Sequence, residues 1–464
     1  MARAYAGVTP GSARCGPPEG PAVTRRPTLP PAASFGVAAG VLVLSLGASG
    51  APAMLYPAFS ALWGTGPVVT TALFAVYPVA LVVVMVAGGG LSDRFGRRRL
   101  MLAGVAVVAV GTVLFALADA PAWAFAGRIV QGAGVGLAMS AASAALVEFD
   151  RSGNPTRASA VNAAATSLGA TAAILVGGWL VQHTADPTHL AFWILLAAVL
   201  VLLVALVFLP ETARTAGARP AAAASAGRRA LLAVPRAGRR PFLVGTAAVT
   251  VAFVTGAVFL ALGAQIIRDV VGTANAFHAA ATLATWPLVV MPTTLLARRI
   301  PTSAAVRIGG VVAAVGLALL LVAGVADSLA VFLGSALLSG VGYGFLMYGG
   351  LGLVTAAADD GRRASTFSSM YLVAYLAQGS TAVLVGALAT ATSLDAAVVV
   401  AVPVIVVLCL ATAAVARRSR GSHGQRGLGR RSRTRKGPAD PRIRGALLRA
   451  VAAYANVFAS MTKR

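Results

Sequence analysis

Arg128 stands inside a strongly apolar stretch, in the run Arg128-Ile-Val-Gln131-Gly132-Ala-Gly134-Val-Gly136. A guanidinium in a bilayer-spanning segment is expensive and has to face protein or a water-filled cavity, so this polar pair points to a functional interior position. The blander reading is that Arg128, close to a segment end, extends its guanidinium to the headgroups. A second cluster, Gly89-Gly90-Leu91-Ser92-Asp93-Arg94-Phe95-Gly96-Arg97-Arg98-Arg99, sets one carboxylate among four arginines in a Gly-bounded turn. A loop that only set topology would not require the carboxylate. Ion pairs that form in one conformation and break in another bias a two-state equilibrium.

The acids and histidines lie elsewhere than the middle of the apolar segments. All 13 Asp and Glu fall in tails, loops or segment ends, and His183, His189, His278 and His423 are peripheral. If protons drive the protein, Glu148 or Asp93, tuned by Arg128, is the expected carrier. A cavity without charge has no counter-ion for a strongly charged solute. Its expected lining is Tyr77, Ser140, Ser143, Thr250, Trp286, Tyr343, Met347, Tyr371, Tyr375 and Gln378, which suits a pocket that is mostly apolar with a few placed polar groups. The i, i+4, i+7 spacing of Tyr371, Tyr375 and Gln378 puts those three on one helix face. For any single one of these residues, a packing or lipid-facing role is the alternative. Cys15 and Cys409 offer neither a disulfide framework nor zinc-ligand spacing, so no metal or cofactor is expected. No convergent His, Asp or Ser cluster argues for an enzyme.

These residues need elements to hold them. Of the 464 residues 58% are hydrophobic and 11% charged, with a mean hydropathy of +0.83. A soluble domain carries about 25% charged residues, so a water-soluble globular protein is excluded. At roughly 20 residues per crossing the length allows about a dozen spans. Stretches 1–33, 211–240 and 417–464 lack long apolar runs and frame two blocks, 34–210 and 241–416. The first holds segments near 34–58, 67–90, 100–118, 122–147, 159–182 and 190–209. The second holds 241–264, 276–297, 305–325, 329–355, 365–390 and 395–416. Backbone polar groups in lipid must be satisfied internally, so the segments are expected to be helices. The expected fold is an all-α membrane protein of twelve transmembrane helices in two six-helix, pseudo-symmetric halves.

An internal repeat supports the two halves. At an offset of 208, Gly132, Gly134, Gly136 and Met139 match Gly340, Gly342, Gly344 and Met347, and Arg157-Ala-Ser159 echoes Arg363-Ala-Ser365. Parallel repeats of this kind mark transporters that handle substrate at the midplane between the halves. The positions equivalent to Arg128 and Gln131 are Ala336 and Ser339. The duplicated glycines therefore read as helix packing, and the polar pair as a task confined to the first half.

Charge fixes the expected orientation. The net charge is +25, and all Lys and Arg except Arg128 and Arg268 fall in the two tails or in the loops on the same side as the tails. The positive-inside rule places both termini in the cytoplasm. Attraction to anionic membrane lipid accounts for the charge without nucleic acid, including the Arg-rich run 417–436. Leu447, Val451, Tyr454, Phe458 and Met461 recur at helical spacing and could form an interfacial amphipathic helix. Residues 1–33 do not resemble a signal peptide and read as a disordered cytoplasmic tail.

The Gly89–Arg99 loop resembles the signature of the major facilitator superfamily, Gly-x-Leu-Ala/Ser-Asp-Arg-x-Gly-Arg-Arg/Lys, with all fixed positions present. The resemblance implies a latch that holds the two halves in the outward-facing state. In that latch Asp93 caps or pairs across the interface, Gly89 and Gly96 permit close backbone approach, and Arg94 and Arg97 belong to the ion-pair cluster. The fourth segment resembles the family's Arg-x-x-Gln-Gly-x-Gly motif, linked to proton-coupled members, which implies a coupling role for Arg128 and Gln131, beside which Glu148 is the coupling residue expected from the survey of acids. The fifth segment departs from the family's antiporter motif. Gly169-Ala-Thr-Ala-Ala173-Ile174-Leu-Val-Gly177-Gly178 keeps the ends of Gly-x-x-x-Gly-Pro-x-x-Gly-Gly and loses the central Gly-Pro, which weakens antiport and leaves a Gly-rich packing face. Across 34–416 the resemblance implies a drug-efflux-like secondary transporter of the plasma membrane. It would work as a monomer by alternating access and export small hydrophobic compounds with proton coupling. An importer or uniporter of a neutral metabolite, a transport-dead receptor and a polytopic enzyme are the alternatives.

Overall fold

The computed structural model describes residues 28–88, 91, 95–152, 155–211, 234–235, 238–358 and 363–418. Twelve helices there are long and apolar enough to cross a membrane. They are α1 (Pro31–Gly50), α2 (Pro67–Ala87), α3 (Arg97–Ala116), α4 (Pro121–Phe149), α5 (Pro155–His183), α6 (Pro187–Val207), α7 (Arg239–Val270), α8 (Ala276–Ala297), α9 (Thr302–Val325), α10 (Leu329–Ala357), α11 (Arg363–Ala391) and α12 (Leu394–Arg418). The chain is an all-α, multi-pass membrane protein built as two halves of six helices. Proline opens α1, α2, α4 and α6, where its missing N–H costs nothing because the first-turn amides have no helical partner. The possible amphipathic helix near 447–461, the latch residues Gly89, Asp93 and Arg94, and most of the 211–240 loop lie outside the described residues.

Two spans differ from their sequence outlines. The first helix stops at Gly50 instead of running to 58; five turn residues around Pro52 follow, then a two-turn helix, Tyr56–Trp63. Proline at position 52 cannot donate to Ala48, which ends the helical ladder there. The seventh runs on to Val270 instead of ending at 264, through two π-helical stretches, Val258–Leu262 and Ile266–Val270. These breaks fall at repeat-equivalent places in α1 and α7.

Glycines bring the helices of each half together. A Cβ on Gly134 would lie 2.6 Å from the Gly104 carbonyl oxygen of α3, and one on Gly342 would lie 2.5 Å from the Ala313 nitrogen of α9. On another face of the same helices, Gly132 backs onto the Tyr77 carbonyl of α2 and Gly340 onto the Trp286 carbonyl of α8, each with room for hydrogen alone. Without a hydrophobic drive between helices in lipid, such close approach is the main source of packing energy.

Both chain ends leave from one face, the basic one. A single apolar core crosses both halves toward the opposite face, from Tyr56, Phe59 and Phe74 to Phe259, Leu283 and Phe332, and in the second half continues to Val306 and Ala416 near the basic face. Toward the basic face two further clusters form, one around Leu100, Leu146 and Leu206 and the other around Phe242, Val354 and Met370, with Tyr375 packed against both. The halves are thus knit together on the side away from the tails.

Candidate functional site

Arg128 has no exposed surface. Its Nη1 donates to the Ala48 carbonyl at 3.2 Å, its Nη2 makes a long contact with the Ser49 carbonyl at 3.5 Å, and its Nε reaches the Leu73 carbonyl at 3.4 Å. The guanidinium carbon lies 4.3 Å from the centroid of the Tyr77 ring, a cation–π contact. Two of these acceptors have a common origin. Pro52 supplies no N–H to Ala48, and the Ala53 amide turns to Gly50 in place of Ser49. Leu73 lies inside α2, where the carbonyl that Pro78 leaves without its amide is that of Phe74. At Ala48 and Ser49 Arg128 thus replaces, from another helix, the donors that the proline break in α1 removes, which is what an unsatisfied carbonyl in lipid requires. It does not reach for the headgroups.

Gln131, one turn on, donates from Nε2 to Thr112 Oγ1 of α3 at 3.1 Å, while its Oε1 is buried without a hydrogen-bond partner. Tyr77 closes the other side of the Arg128 pocket. It donates from its hydroxyl to the Ser45 carbonyl at 3.3 Å, and its ring forms part of a cavity wall.

That cavity, of about 170 Å³, lies between the halves. Phe74 and Tyr77 line it from one side, and Phe253, Trp286, Tyr343 and Tyr375 from the other. Polar groups come from Ser49, Thr166, Ser167 and Gln378. Phe253 is the hub of the second-half aromatics, with centroids 4.7 Å from Tyr375, 6.2 Å from Tyr371 and 6.5 Å from Tyr343. Trp286 stands edge-on to Tyr343 at 4.9 Å. Edge-to-face and offset pairs of this kind hold rings in fixed orientations. None of the lining residues carries a formal charge.

At the basic face, Arg97 Nε pairs with Glu148 Oε1 at 3.0 Å, joining the start of α3 to the end of α4. Glu211 places its carboxylate over Gly96, whose φ of +96° and lack of a Cβ make the approach possible, and accepts from the Arg98 amide at 3.4 Å. Arg98 in return donates to the Leu206 and Val207 carbonyls that end α6. Arg298, the residue that follows α8, donates to Ser159 Oγ of α5 at 3.0 Å, a contact between halves. Glu148 is twenty residues beyond Arg128 on one helix, a rise of about 30 Å. The expected tuning of Glu148 by Arg128 fails at that separation, and Arg97 is the cation beside the carboxylate.

The family profile described as Major Facilitator Superfamily matches residues 37–379. The chain belongs to the Major Facilitator Superfamily. Within the superfamily, the inner membrane transport protein YajR of Escherichia coli K12 is 35% identical over 137 residues, 29% of this chain and 29% of that protein. The uncharacterized MFS-type transporter EfpA of Mycobacterium tuberculosis is 38% identical over 100 residues, 21% of this chain and 19% of that one. The matched stretches thus span under a third of these relatives. In three dimensions the chain is similar to the nucleoside transporter NupG, with a TM-score of 0.65 at 12% identity over 82% of this chain and 99% of that one. It is equally similar to a POT family transporter in complex with a thioalcohol-conjugated peptide, with a TM-score of 0.65 at 14% identity over 84% and 96%. At such identities the likeness speaks for the superfamily fold.

Of the residues singled out in the sequence, Tyr77, Trp286, Tyr343, Tyr375 and Gln378 border the cavity. Tyr371 packs behind Tyr375, with centroids 6.0 Å apart, and Met347 packs against the Phe253 cluster. Ser140 is exposed and bonds back to the Leu137 carbonyl, because the turn of α4 that meets the cavity presents Met139. Ser143 bonds Asn162 of α5 at 2.9 Å, and Thr250 Oγ1 is buried without a partner. Ser49, Thr166, Ser167, Phe74 and Phe253 went unnoticed in the sequence. A lone Ser, Thr or Phe in an apolar helix carries no signal until the facing helix is known. Gly169 and Gly178 of the altered superfamily motif in α5 meet the α1 backbone at Val43 and the α8 backbone at Ala276, as a packing face would.

Proposed function

We propose that the chain is a secondary transporter, not an enzyme, working by alternating access as a monomer in the plasma membrane. It exports small, largely hydrophobic organic compounds in exchange for protons. The observation that carries this reading is the cavity between the halves, walled by aromatic rings from both and offering a few hydroxyls and one amide but no charge. Such a wall suits neutral, ring-bearing solutes. The boundaries 34–210 and 241–416 are taken for the halves, with the 211–240 loop and both tails on the cytoplasmic side, as the Arg distribution favours. Asp93, with Gly89, Arg94, Gly96 and Arg97, is the proposed latch between halves at that face, and the tails meet anionic lipid there. Arg128, Gln131 and Tyr77 are the proposed link between cavity and coupling, since Tyr77 belongs both to the Arg128 pocket and to the cavity wall. Asp93 or Glu148 is the proposed proton carrier.

The test is flux of a hydrophobic fluorescent dye in inverted vesicles with and without an imposed pH gradient, for wild type, Arg128→Ala and Asp93→Asn. Flux that follows the gradient and is lost in both variants supports proton-coupled export. Flux indifferent to the gradient supports a second reading, a uniporter or importer of a neutral metabolite, which the altered α5 motif and its packing role favour.

A further inference from the structure

Three glutamines are buried among the described residues, and one differs from the other two. Gln131 Nε2 donates to Thr112 Oγ1 and Gln265 Nε2 to Thr70 Oγ1, each at about 3 Å, so both amides are held against a neighbouring helix. Gln378 of α11 is 9% exposed, lines the cavity and makes no hydrogen bond to any described residue. Its carboxamide borders open space, whereas the Oε1 atoms of Gln131 and Gln265 are sealed between helices. The internal repeat shows what stands opposite. Ser167 and Ala170 of α5 come 208 residues before Tyr375 and Gln378, and all four line the cavity. The first half thus offers two small side chains where the second offers a ring and an amide. Phe253 stands edge-on to Tyr375, with centroids 4.7 Å apart, and fixes that ring one turn from the amide.

We propose that Gln378 is the specificity-determining residue of the cavity, and that it selects planar, uncharged ring compounds with a cis-amide edge: a ring N–H beside a ring C=O, as in lactams and imides. A carboxamide carries a donor and an acceptor side by side in one plane. A cis-amide edge is its complement, since the solute N–H donates to Oε1 while Nε2 donates to the solute carbonyl. A ketone or ether would engage Nε2 alone, and a simple amine Oε1 alone. Either leaves half of a buried amide without a partner once the solute has displaced water, which is the costly arrangement. Hydroxyl groups in the wall rotate to suit donors and acceptors alike and discriminate little. The room left by Ser167 and Ala170 seats the ring, and Tyr375 gives it a flat neighbour. A cavity of about 170 Å³ compares with the ~150 Å³ of one that takes up benzene, so one or two fused rings fit. The inference rests on the reading of this cavity as the substrate site, but its test reads binding separately from flux.

The measurement is equilibrium dialysis against full-length protein in lipid nanodiscs, with uptake by empty nanodiscs subtracted. The probes are 2-quinolinone, which has the edge, N-methyl-2-quinolinone, whose donor is replaced by a methyl group, and 4-methyl-2-quinolinone, which carries the same added volume and keeps the edge. Wild type is expected to bind the two N–H compounds alike and about tenfold or more tighter than the N-methyl compound. Gln378→Leu, which keeps most of the volume and removes the amide, is expected to bind all three alike; should it fail to fold, Gln378→Met takes its place with the same expectation. Binding of no probe by the wild type, equal constants for all three, or equal losses from both methyl groups overturns the proposal. So does a preference for the N–H compounds that persists in the folded Gln378 variant. A preference in binding by a protein that moves none of the probes across a vesicle membrane would keep the inference and remove the transport reading. Flux of all three probes with no preference in binding would do the reverse.

Discussion

Helices α4 and α10 occupy equivalent places in the two halves and share their glycines, yet only α4 buries a charge. Gly132 and Gly340 rest on the Tyr77 and Trp286 carbonyls, and an aromatic followed by proline stands at the same point of α2 and α8. Against this common frame, α4 buries Arg128 and Gln131, whereas α10 has Ala336 and Ser339, both fully buried, with the Ser339 hydroxyl unpartnered. The difference follows the neighbouring helix. In the first half α1 breaks at a proline and frees carbonyls. In the second, α7 passes the same point through a π-helical stretch that keeps its amides, so no foreign donor is called for. What duplicates is packing, and what diverges is the repair of a break.

The harshest way to break that comparison is Ala336→Arg. It would bury a charge where no freed carbonyls wait for it, costing about 3–5 kcal/mol. Loss of folded protein by size-exclusion chromatography is the expected result. Next comes Arg128→Ala, which leaves the Ala48 and Ser49 carbonyls unsatisfied and should cost about 2–4 kcal/mol, read as a lower melting temperature in detergent. Adding Pro52→Ala to Arg128→Ala should return about 1 kcal/mol of this, because the new amide can bond Ala48. A cycle with no coupling between the two positions would sink the repair account. Smallest are the matched caps at the starts of α6 and α12. There Asp186 accepts from the His189 amide and Ser393 from the Ala396 amide. Each to alanine should cost roughly 1 kcal/mol or less. Only the Asp186 cap should depend on pH. The hydrogen bond from the His189 side chain holds its carboxyl below the usual carboxylate range, so its contribution is complete above about pH 4 and fades as pH falls through the lowered value. Melting curves at pH 7 and pH 3 would separate the two caps.

Much of this architecture was legible in the chain. Twelve apolar segments, a 208-residue offset and the confinement of arginine to alternate loops need only local pattern, and α8 ends where its sequence says. The buried arginine was legible as a conflict between its charge and its surroundings. Its partners were not, although Pro52 was in plain sight, because the broken helix and the donor that mends it are 76 positions apart in the chain. Likewise Tyr371 shares a face with Tyr375 and Gln378 yet stands one ring back from the cavity, since the curvature of the wall depends on Phe253 from another helix. The expected tuning of Glu148 by Arg128 takes no account of the rise along α4, which sets the two about 30 Å apart.

The Arg128 guanidinium has an electrical consequence for whatever enters the cavity. Its charge stands behind the Tyr77 ring with no carboxylate among the lining residues to cancel it. At an effective dielectric near 20, a unit charge about 8 Å away gains or loses roughly 2 kcal/mol. The chamber is therefore expected to stand at positive potential and to sort solutes by sign: of two dyes matched in shape, the anion should bind some hundredfold or more tighter than the cation, and equal dissociation constants would show that the helix carbonyls around Arg128 had already neutralised it.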